Sequence, residues 1–148
     1  MQATSVTPRE LAVRLTAVIH QAMSVSGGDV VALFEELGLT ITQVKLLNHL
    51  AAAGEINVKS LSESMHLSLP GTSRAADALI RRGLVERRED PADRRSKLLT
   101  ITPAGREAAG RIAAARVDAF EPLMASLTDE QRAALVAALA PLAPDGTP

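Results

Sequence analysis

Two short segments, 84–88 (LVERR) and 97–101 (KLLTI), flank a proline-containing turn in a chain whose other segments follow helical patterns. The simplest structure for such a pair is a β-hairpin in which each segment is a strand. The hairpin tip carries two adjacent arginines, Arg94 and Arg95, directly after Asp93. A guanidinium pair at an exposed tip is consistent either with a solvated turn or with a contact to an anionic partner.

Apolar residues recur at helical spacing over 9–24, and the preceding Thr7-Pro8 is typical of a helix start. Ser26-Gly27-Gly28 predicts that this helix breaks there. A second, short helix is then expected over 29–37, ending at Gly38.

Two T-x-x-Q capping boxes, Thr40–Gln43 and Thr128–Gln131, mark the starts of further helices. The first opens a helix over 40–53, which Gly54 is predicted to end in the left-handed conformation. The second opens the last helix, which follows a long helix running from Pro103 to about residue 126.

The segment between the first capping box and the hairpin predicts two helices joined by about three residues. Asn57 and Ser68 are the expected N-caps, and the helices cover roughly 58–65 and 69–82. Two helices so closely joined, the second with a face of small residues, form a helix-turn-helix. The inward face of the second helix is predicted to contain Thr72, Ala75 or Ala76, Leu79 and Ile80.

The net charge of −1 conceals an uneven distribution of charged side chains. Residues 74–97 hold eight of the 16 lysines and arginines against five acids, so this window carries +3. A basic window on an acidic body creates a directional field for an anionic partner. Phe34 and Phe120 are the only aromatic residues, so a surface that stacks single-stranded bases is not expected.

The absence of cysteine excludes disulfides, thiolate metal sites and thiol-based redox sensing. The three histidines lack metal-ligand spacing, and no motif of a hydrolase or phosphate-binding loop occurs. We therefore expect no enzyme activity, cofactor or metal. No apolar run reaches membrane-spanning length and no signal peptide is evident, so a cytoplasmic protein without a membrane partner is expected.

Residues 61–105 resemble the winged helix-turn-helix of the multiple-antibiotic-resistance regulator (MarR) family. The resemblance lies in an ordered series of short motifs rather than in any one of them. The flanking helices also follow the family's order, so the resemblance covers nearly the whole chain. The matching motifs are Asp77-x-Leu79, Arg82-Gly83-Leu84-Val85, Asp90-Pro91-x-Asp93-Arg94-Arg95 and Leu99-Thr100-Ile101-Thr102-x-x-Gly105.

This resemblance implies a mainly α fold with a small β-wing, and a homodimeric DNA-binding transcription regulator, more often a repressor. Residues 1–148 would form a single domain, with 40–102 as its DNA-binding part. Residues 8–38 and 103–142 would be the dimerisation helices. An inverted-repeat operator of double-stranded DNA would be the partner.

The expected DNA contacts lie in the first turns of the helix over 69–82 and at the hairpin tip. Arg74 has the length and fork geometry to reach guanine O6 and N7, and Arg94 and Arg95 suit a narrow minor groove. Pro70-Gly71 departs from the family's usual polar pair, so direct base readout is expected to be sparse. The predicted DNA-binding residues are Ser68, Leu69, Pro70, Gly71, Ser73, Arg74, Asp77, Arg94, Arg95 and Lys97.

Asp93 is expected to stabilise the wing, either by accepting backbone N–H bonds in the turn or by orienting an arginine. The resemblance suggests that one wing arginine reads the groove while another pairs with an acid such as Asp77, and which does which stays open. Weaker candidates for phosphate contacts, each of which can equally be part of a solvated face, are Lys45, Lys59, Ser60, Arg87, Arg88 and Lys97.

Apolar stripes at both ends of the chain are assigned to the dimer interface, although some of these residues must serve the intramolecular core. They are Leu11, Leu15, Val18, Leu135, Leu139 and Leu142. The resemblance also implies a pocket for a small aromatic or carboxylate effector between the dimerisation helices and the winged part. Its candidate residues, for each of which a structural role is the alternative, are Arg14, His20, Met23, His49 and Arg116.

Two other functions compete with DNA binding. A winged helix can serve as a protein-interaction module that never touches DNA, and the net charge of +3 in the basic window argues modestly against it. A small hydrolase with an uncommon site is the second competitor, and no motif supports it.

Overall fold

The structure is a computed structural model that describes residues 6–142, with side chains described for all of these except 25–29. The two ends of the predicted 1–148 domain therefore lie outside the described residues. The helices are α1 (Pro8–Leu37), α2 (Ile41–Ala53), α3 (Val58–Ser64), α4 (Leu69–Arg81), α5 (Pro103–Ala125) and α6 (Asp129–Leu139), and the strands are β1 (Ile56–Asn57), β2 (Val85–Glu89) and β3 (Lys97–Ile101). A 3-10 turn, Ala140–Leu142, follows α6. The prediction of a mainly α fold with a small β-wing is confirmed.

Helix α1 is continuous through Ser26-Gly27-Gly28, so the predicted break was wrong. A glycine inside a helix costs up to about 1 kcal/mol relative to alanine. Tertiary packing holds the helix on both sides of the glycines, because Ala22 and Val30 are buried. The helix ends where predicted, at Gly38, whose φ is +59°.

Both predicted capping boxes are present. Thr40 Oγ1 accepts the Gln43 N–H at 3.3 Å, and Gln43 Oε1 accepts the Thr40 N–H at 2.9 Å. Thr128 and Gln131 form the same reciprocal pair. Gly54 follows α2 with a φ of +77° as expected, but its ψ of −106° lies outside the predicted left-handed helical region.

The described residues form two compact units. The terminal unit consists of the residues up to Gly28 and those from Arg116 onward, and the central unit is Asp29–Ala115. In the terminal unit, Ala22 and Ala119 are the buried apolar residues, and most of the large apolar side chains are exposed. No helix within residues 6–142 has the length and apolar character needed to cross a membrane.

The central unit contains the main core. Its sheet is antiparallel with the order β1-β3-β2, and Leu99 on the middle strand pairs with Ile56 on one side and with Arg87 on the other. Complete burial of a leucine or isoleucine contributes about 1.5–3 kcal/mol, so this cluster supplies much of the unit's stability. Its fully buried large side chains include Leu46, Leu47, Leu50, Leu61, Leu79, Leu99 and Ile112.

Two contacts fix the ends of α4 and of the wing within the central unit. Arg82, just after α4, donates to the carbonyls of Leu37 and Gly38 at the end of α1. Thr102, just after β3, donates through Oγ1 to the Gly83 carbonyl at 2.7 Å and through its N–H to the Leu84 carbonyl at 3.1 Å. The helix α4 and the hairpin are therefore tied to the rest of the unit at their bases.

Candidate nucleic-acid interface

Helix α4 presents its N-terminal turns to solvent. Ser68 caps the helix, because its Oγ accepts the Gly71 N–H at 3.2 Å, and Pro70 occupies the first turn, where no hydrogen bond is lost. Thr72 is fully buried, and its hydroxyl donates to the Ser68 carbonyl at 3.0 Å. The inward face continues with Ala75, Ala76 and Leu79 as predicted, which leaves the opposite face of the first turns exposed.

Open clefts lie on both flanks of α4. The wing-side cleft is bounded by the start of α3, the first turns of α4 and the hairpin. Its lining residues are Asn57, Val58, Lys59, Leu69, Ser73, Arg87, Arg95, Ser96 and Lys97. The α2-side cleft is bounded by the start of α2 and the other flank of α4, and its lining residues are Thr40, Thr42, Gln43, Leu67, Ser68, Gly71, Arg74 and Ala75.

The structure divides the predicted DNA-binding residues between these clefts. Leu69, Ser73, Arg95 and Lys97 line the wing-side cleft. Ser68, Gly71 and Arg74 line the α2-side cleft. Pro70 and Arg94 are exposed and line neither cleft, and Asp77 lies further along α4.

Hydrogen bonds to Asp90 and Asp93 stabilise the turn at the wing tip. Asp93 accepts the Arg95 N–H through Oδ1 at 2.9 Å and the Ser96 N–H through its carbonyl at 2.8 Å. Asp90 Oδ1 accepts the Ala92 N–H at 2.8 Å. The Asp93 carboxylate thus accepts a backbone bond, which is one of the two roles expected for it.

The two tip arginines, Arg94 and Arg95, keep their side chains exposed to solvent. Within residues 6–142 neither of them forms an ion pair. Their guanidinium groups are consequently available to an anionic partner, Arg95 from the wing-side cleft and Arg94 from outside both clefts.

A wing arginine pairs with Asp77 as the resemblance suggested, but it is neither of the two arginines at the tip. Asp77 Oδ1 instead accepts a hydrogen bond at 2.6 Å from Arg87, which lies on strand β2. The strand register decides this: Arg87 pairs with Leu99 in the middle of the hairpin and lies close to α4, whereas Arg94 and Arg95 lie at the far end.

Two further cations of the hairpin are also paired. Lys97 Nζ lies 3.0 Å from Glu89 Oε1 across the strands. Arg88 makes a bidentate contact with Glu55, with its Nε 2.7 Å from Oε1. The hydrogen bond from Arg88 lowers the pKa of the Glu55 carboxyl below its usual range, and the same contact raises the pKa of Arg88.

The remaining candidates for phosphate contacts differ in placement. Lys59 is exposed and lines the wing-side cleft, and Lys45 is exposed on α2. Ser60 is half-buried, and its N–H donates to Asn57 Oδ1 at 2.8 Å, so its backbone is committed to the α3 cap. Sequence reasoning missed Thr42 as part of the interface, because only the packing of α2 beside α4 places it there.

The residues assigned to dimerisation belong to the terminal unit and are mostly exposed in the single chain. Leu139 is 46% exposed and Leu142 is 74% exposed, while Leu135 is half-buried. Leu11, Leu15 and Val18 are likewise exposed on α1.

The residues assigned to the effector pocket are divided between the two units. Four of them lie in the terminal unit, and all four are exposed: Arg14, His20, Met23 and Arg116. His20 Nδ1 lies 3.3 Å from Ser24 Oγ. His49, in the central unit, contacts Ser64 Oγ through Nε2 at 3.1 Å. The effector pocket stays a prediction.

Comparisons with known proteins match the same part of the chain. The sequence model of the MarR family matches residues 39–97. The chain is similar to the HTH-type transcriptional regulator YxaD of Bacillus subtilis, with 32% identity over 87 residues. That alignment covers 59% of this chain and 61% of YxaD, so the chain spans about three fifths of that relative's length.

Two solved structures extend the likeness over most of the fold. Wild-type MarR of E. coli in its apo form shares 25% identity, with a TM-score of 0.68 over 88% of this chain and 96% of its own. A point mutant of S. aureus MepR, solved bound to an oligodeoxyribonucleotide, has 19% identity and a TM-score of 0.66 over 92% of this chain and 96% of its own. The second likeness concerns the fold alone. Together these findings confirm the winged helix-turn-helix.

Proposed function

We propose that this chain, whose residues 39–97 match the sequence model of the MarR family, is a transcriptional regulator of that family and binds an inverted-repeat operator in double-stranded DNA as a homodimer. Residues 40–102 are the DNA-binding part in this proposal. Helix α4 enters the major groove, and the wing tip with Arg94 and Arg95 reaches the adjacent minor groove. Repression of the neighbouring gene is the regulatory outcome that we propose.

The observation that carries this proposal is the placement of α4 between two open clefts with polar or cationic rims. Duplex DNA presents phosphates on both sides of a groove, so a helix that reads bases needs phosphate contacts on both of its flanks. Lys59 and Arg95 supply positive charge on the wing side. Arg74, Thr42 and the start of α2 supply donors on the other side.

The exposed arginines at the wing tip support the same proposal. The negative potential of a narrow minor groove attracts guanidinium groups. The acids beside them, Asp90 and Asp93, accept backbone N–H bonds and so stabilise the turn that presents the arginines. The oligodeoxyribonucleotide bound to the MepR mutant, a protein with this fold, provides a further precedent.

Homodimerisation is supported by exposed leucines on the helices of the terminal unit. Large apolar side chains such as Leu139 and Leu142 are poorly solvated, and a partner chain would bury them. A symmetric dimer carries two copies of α4, which would fit half-sites about 10 bp apart. Residues 8–38 and 103–142 would then be the dimerisation helices.

We also propose that a small aromatic or carboxylate effector releases the protein from its operator. Arg14 or Arg116 would pair with an anionic group of the ligand, and Met23 would pack beside it. Titration of the protein–operator complex with salicylate-like acids tests this part. A loss of operator affinity supports it, and an unchanged affinity with an unchanged melting temperature points to a constitutive binder.

A gel shift on the promoter beside the protein's own gene, repeated over a range of salt concentrations, tests DNA binding itself. Counterion release makes the affinity fall steeply with salt when several phosphates are contacted. A flat salt dependence, or no shift at all, would instead favour a winged-helix module that binds protein.

A further inference from the structure

The first turn of α4 presents an apolar side chain where base readout by hydrogen bonds would require polar ones. Leu69, the first residue of the helix, is 48% exposed and lies outside the buried core. It lines the wing-side cleft together with Ser73, one helical turn further on. We infer that Leu69 is a specificity-determining residue that reads the 5-methyl group of a thymine, an inference that rests on the proposed function.

The neighbours of Leu69 leave little alternative chemistry to this turn. Pro70 and Gly71 carry no side-chain donor or acceptor, and the Ser68 hydroxyl, which precedes the helix, accepts the Gly71 N–H as its cap. Because Thr72 is buried, side chains of α4 can hydrogen-bond to bases only from Ser73 onward. The one apolar group that base pairs display in the major groove is the thymine methyl.

The surroundings of Leu69 select the kind of partner. Lys59 and Arg95, which form no ion pair within the described residues, line the same cleft, so an apolar side chain lies among cations. An apolar peptide or lipid tail placed there would leave these charges desolvated without new partners. A DNA groove satisfies both features, because phosphates face the cations and a thymine methyl faces the leucine.

If Leu69 contacts a thymine methyl group, removal of that methyl group from the DNA should weaken binding. Purified full-length protein selects duplex sites from a random library, and each thymine of a selected site is then replaced by deoxyuridine, which lacks only the methyl group. Fluorescence anisotropy gives the dissociation constant for each duplex. We expect one thymine in each half-site at which the replacement weakens binding about fourfold, the factor for withdrawing one methyl group from an apolar contact.

Variants identify the side chain that senses the methyl group. In Leu69→Ala, the sensitive thymine should lose its effect, so that thymine and deoxyuridine duplexes bind alike. Ile41→Ala is the matched control, because Ile41 is also the first residue of a helix and is 66% exposed, whereas its side chain lines neither cleft and the substitution keeps its backbone N–H. That variant should retain the fourfold difference, and circular dichroism checks that both variants are folded.

Three outcomes would overturn the inference. One is a set of selected sites in which no thymine is sensitive to removal of its methyl group. Another is a sensitivity that persists unchanged in Leu69→Ala. In both cases duplex binding, and with it the proposed function, stands. The third is a failure to select any duplex site, which would contradict the proposed function and this inference together.

Discussion

Arg87 on β2 donates a 2.6 Å hydrogen bond to the carboxylate of Asp77 on α4. The contact joins the wing to the middle of the helix proposed to enter the major groove. It also neutralises a carboxylate that would otherwise face DNA phosphates. Both side chains remain about one third exposed or more, so the pair contributes at most about 1 kcal/mol to stability.

Replacing Asp77 by Asn should therefore affect DNA binding more than folding. The substitution releases Arg87 for a phosphate contact and removes one repulsive charge. We expect tighter binding to random duplex DNA and a log–log salt slope that is steeper by about one. Glu36→Gln is the control, because Glu36 pairs with Arg111 in the same unit and lines neither cleft. A slope identical to that of the wild type would show that Arg87 does not reach DNA.

Replacing different arginines of the interface should weaken DNA binding with different dependence on the DNA sequence. Arg74→Ala should cost about 1–3 kcal/mol on the cognate site if its guanidinium pairs with a guanine, and should relax preference at that base pair. Competition gel shifts with cognate and random duplexes measure this. An equal loss on both duplexes would make Arg74 a phosphate contact, which its place in the α2-side cleft beside Thr42 also permits.

Replacing an arginine at the wing tip should have an effect that depends on the base composition of the DNA beneath the wing. Arg95→Ala should weaken binding mainly to operators whose wing sites are AT-rich, because a narrow minor groove provides the attraction. Arg106→Ala serves as the control, since this arginine is exposed on α5 and lines neither cleft. Equal losses on AT-rich and GC-rich wing sites would contradict insertion into the minor groove.

Two glycines of α5 should respond to alanine in opposite directions. At Gly105 a Cβ would overlap the Leu84 carbonyl oxygen and lie 2.7 Å from Ile101 Cγ1, so Gly105→Ala should destabilise the protein by about 1–3 kcal/mol. At Gly110 a Cβ would meet nothing within 4 Å, so Gly110→Ala should stabilise it by up to about 1 kcal/mol. Urea unfolding measures both. Equal shifts in the two variants would contradict the close packing of α5 on the base of the wing.

Exposed leucines give the test of dimerisation. Leu139→Glu combined with Leu142→Glu places charges on side chains that are 46% and 74% exposed in the single chain, so the protomer should stay folded. Sedimentation should show a monomer. Ile41→Glu, a charge at an exposed position of the central unit, should leave the dimer intact. A dimer that survives the double substitution would place the interface elsewhere.

The contact between Arg88 and Glu55 predicts a pH dependence. The Glu55 pKa is lowered in the folded protein, so the ionised carboxylate stabilises the fold above the usual carboxyl pKa. This contribution is lost as the pH falls through the lowered value. Urea unfolding should show that Glu55→Gln is less stable than wild type at neutral pH and equal to it in strong acid. A difference that does not change with pH would refute the contribution of this carboxylate.

Local features of the fold could be predicted from the sequence. The caps at Thr40, Asn57, Ser68 and Thr128 depend on side chains within three residues, and all four are present. The continuity of α1 through its two glycines could not be predicted, because packing of residues distant in sequence outweighs a local cost.

The geometry of the interface depended on contacts that no local pattern encodes. The pairing of Asp77 with Arg87 follows from strand register and from how β2 lies against α4. The α2-side cleft requires Thr42 and Arg74 to come together from two helices. The order of short motifs could identify the winged helix-turn-helix, but not which charges within it are paired.

Hydroxyl-radical footprinting of the purified protein on its own promoter tests whether α4 and the wing bind an operator. We expect two protected half-sites, about 10 bp apart and related by inverted symmetry. Minor-groove protection should flank each half-site where the wing reaches, and Arg95→Ala should remove this flanking protection while leaving the central protection. A promoter that stays unprotected at low salt, while the protein is folded and dimeric, would contradict operator binding by this protein.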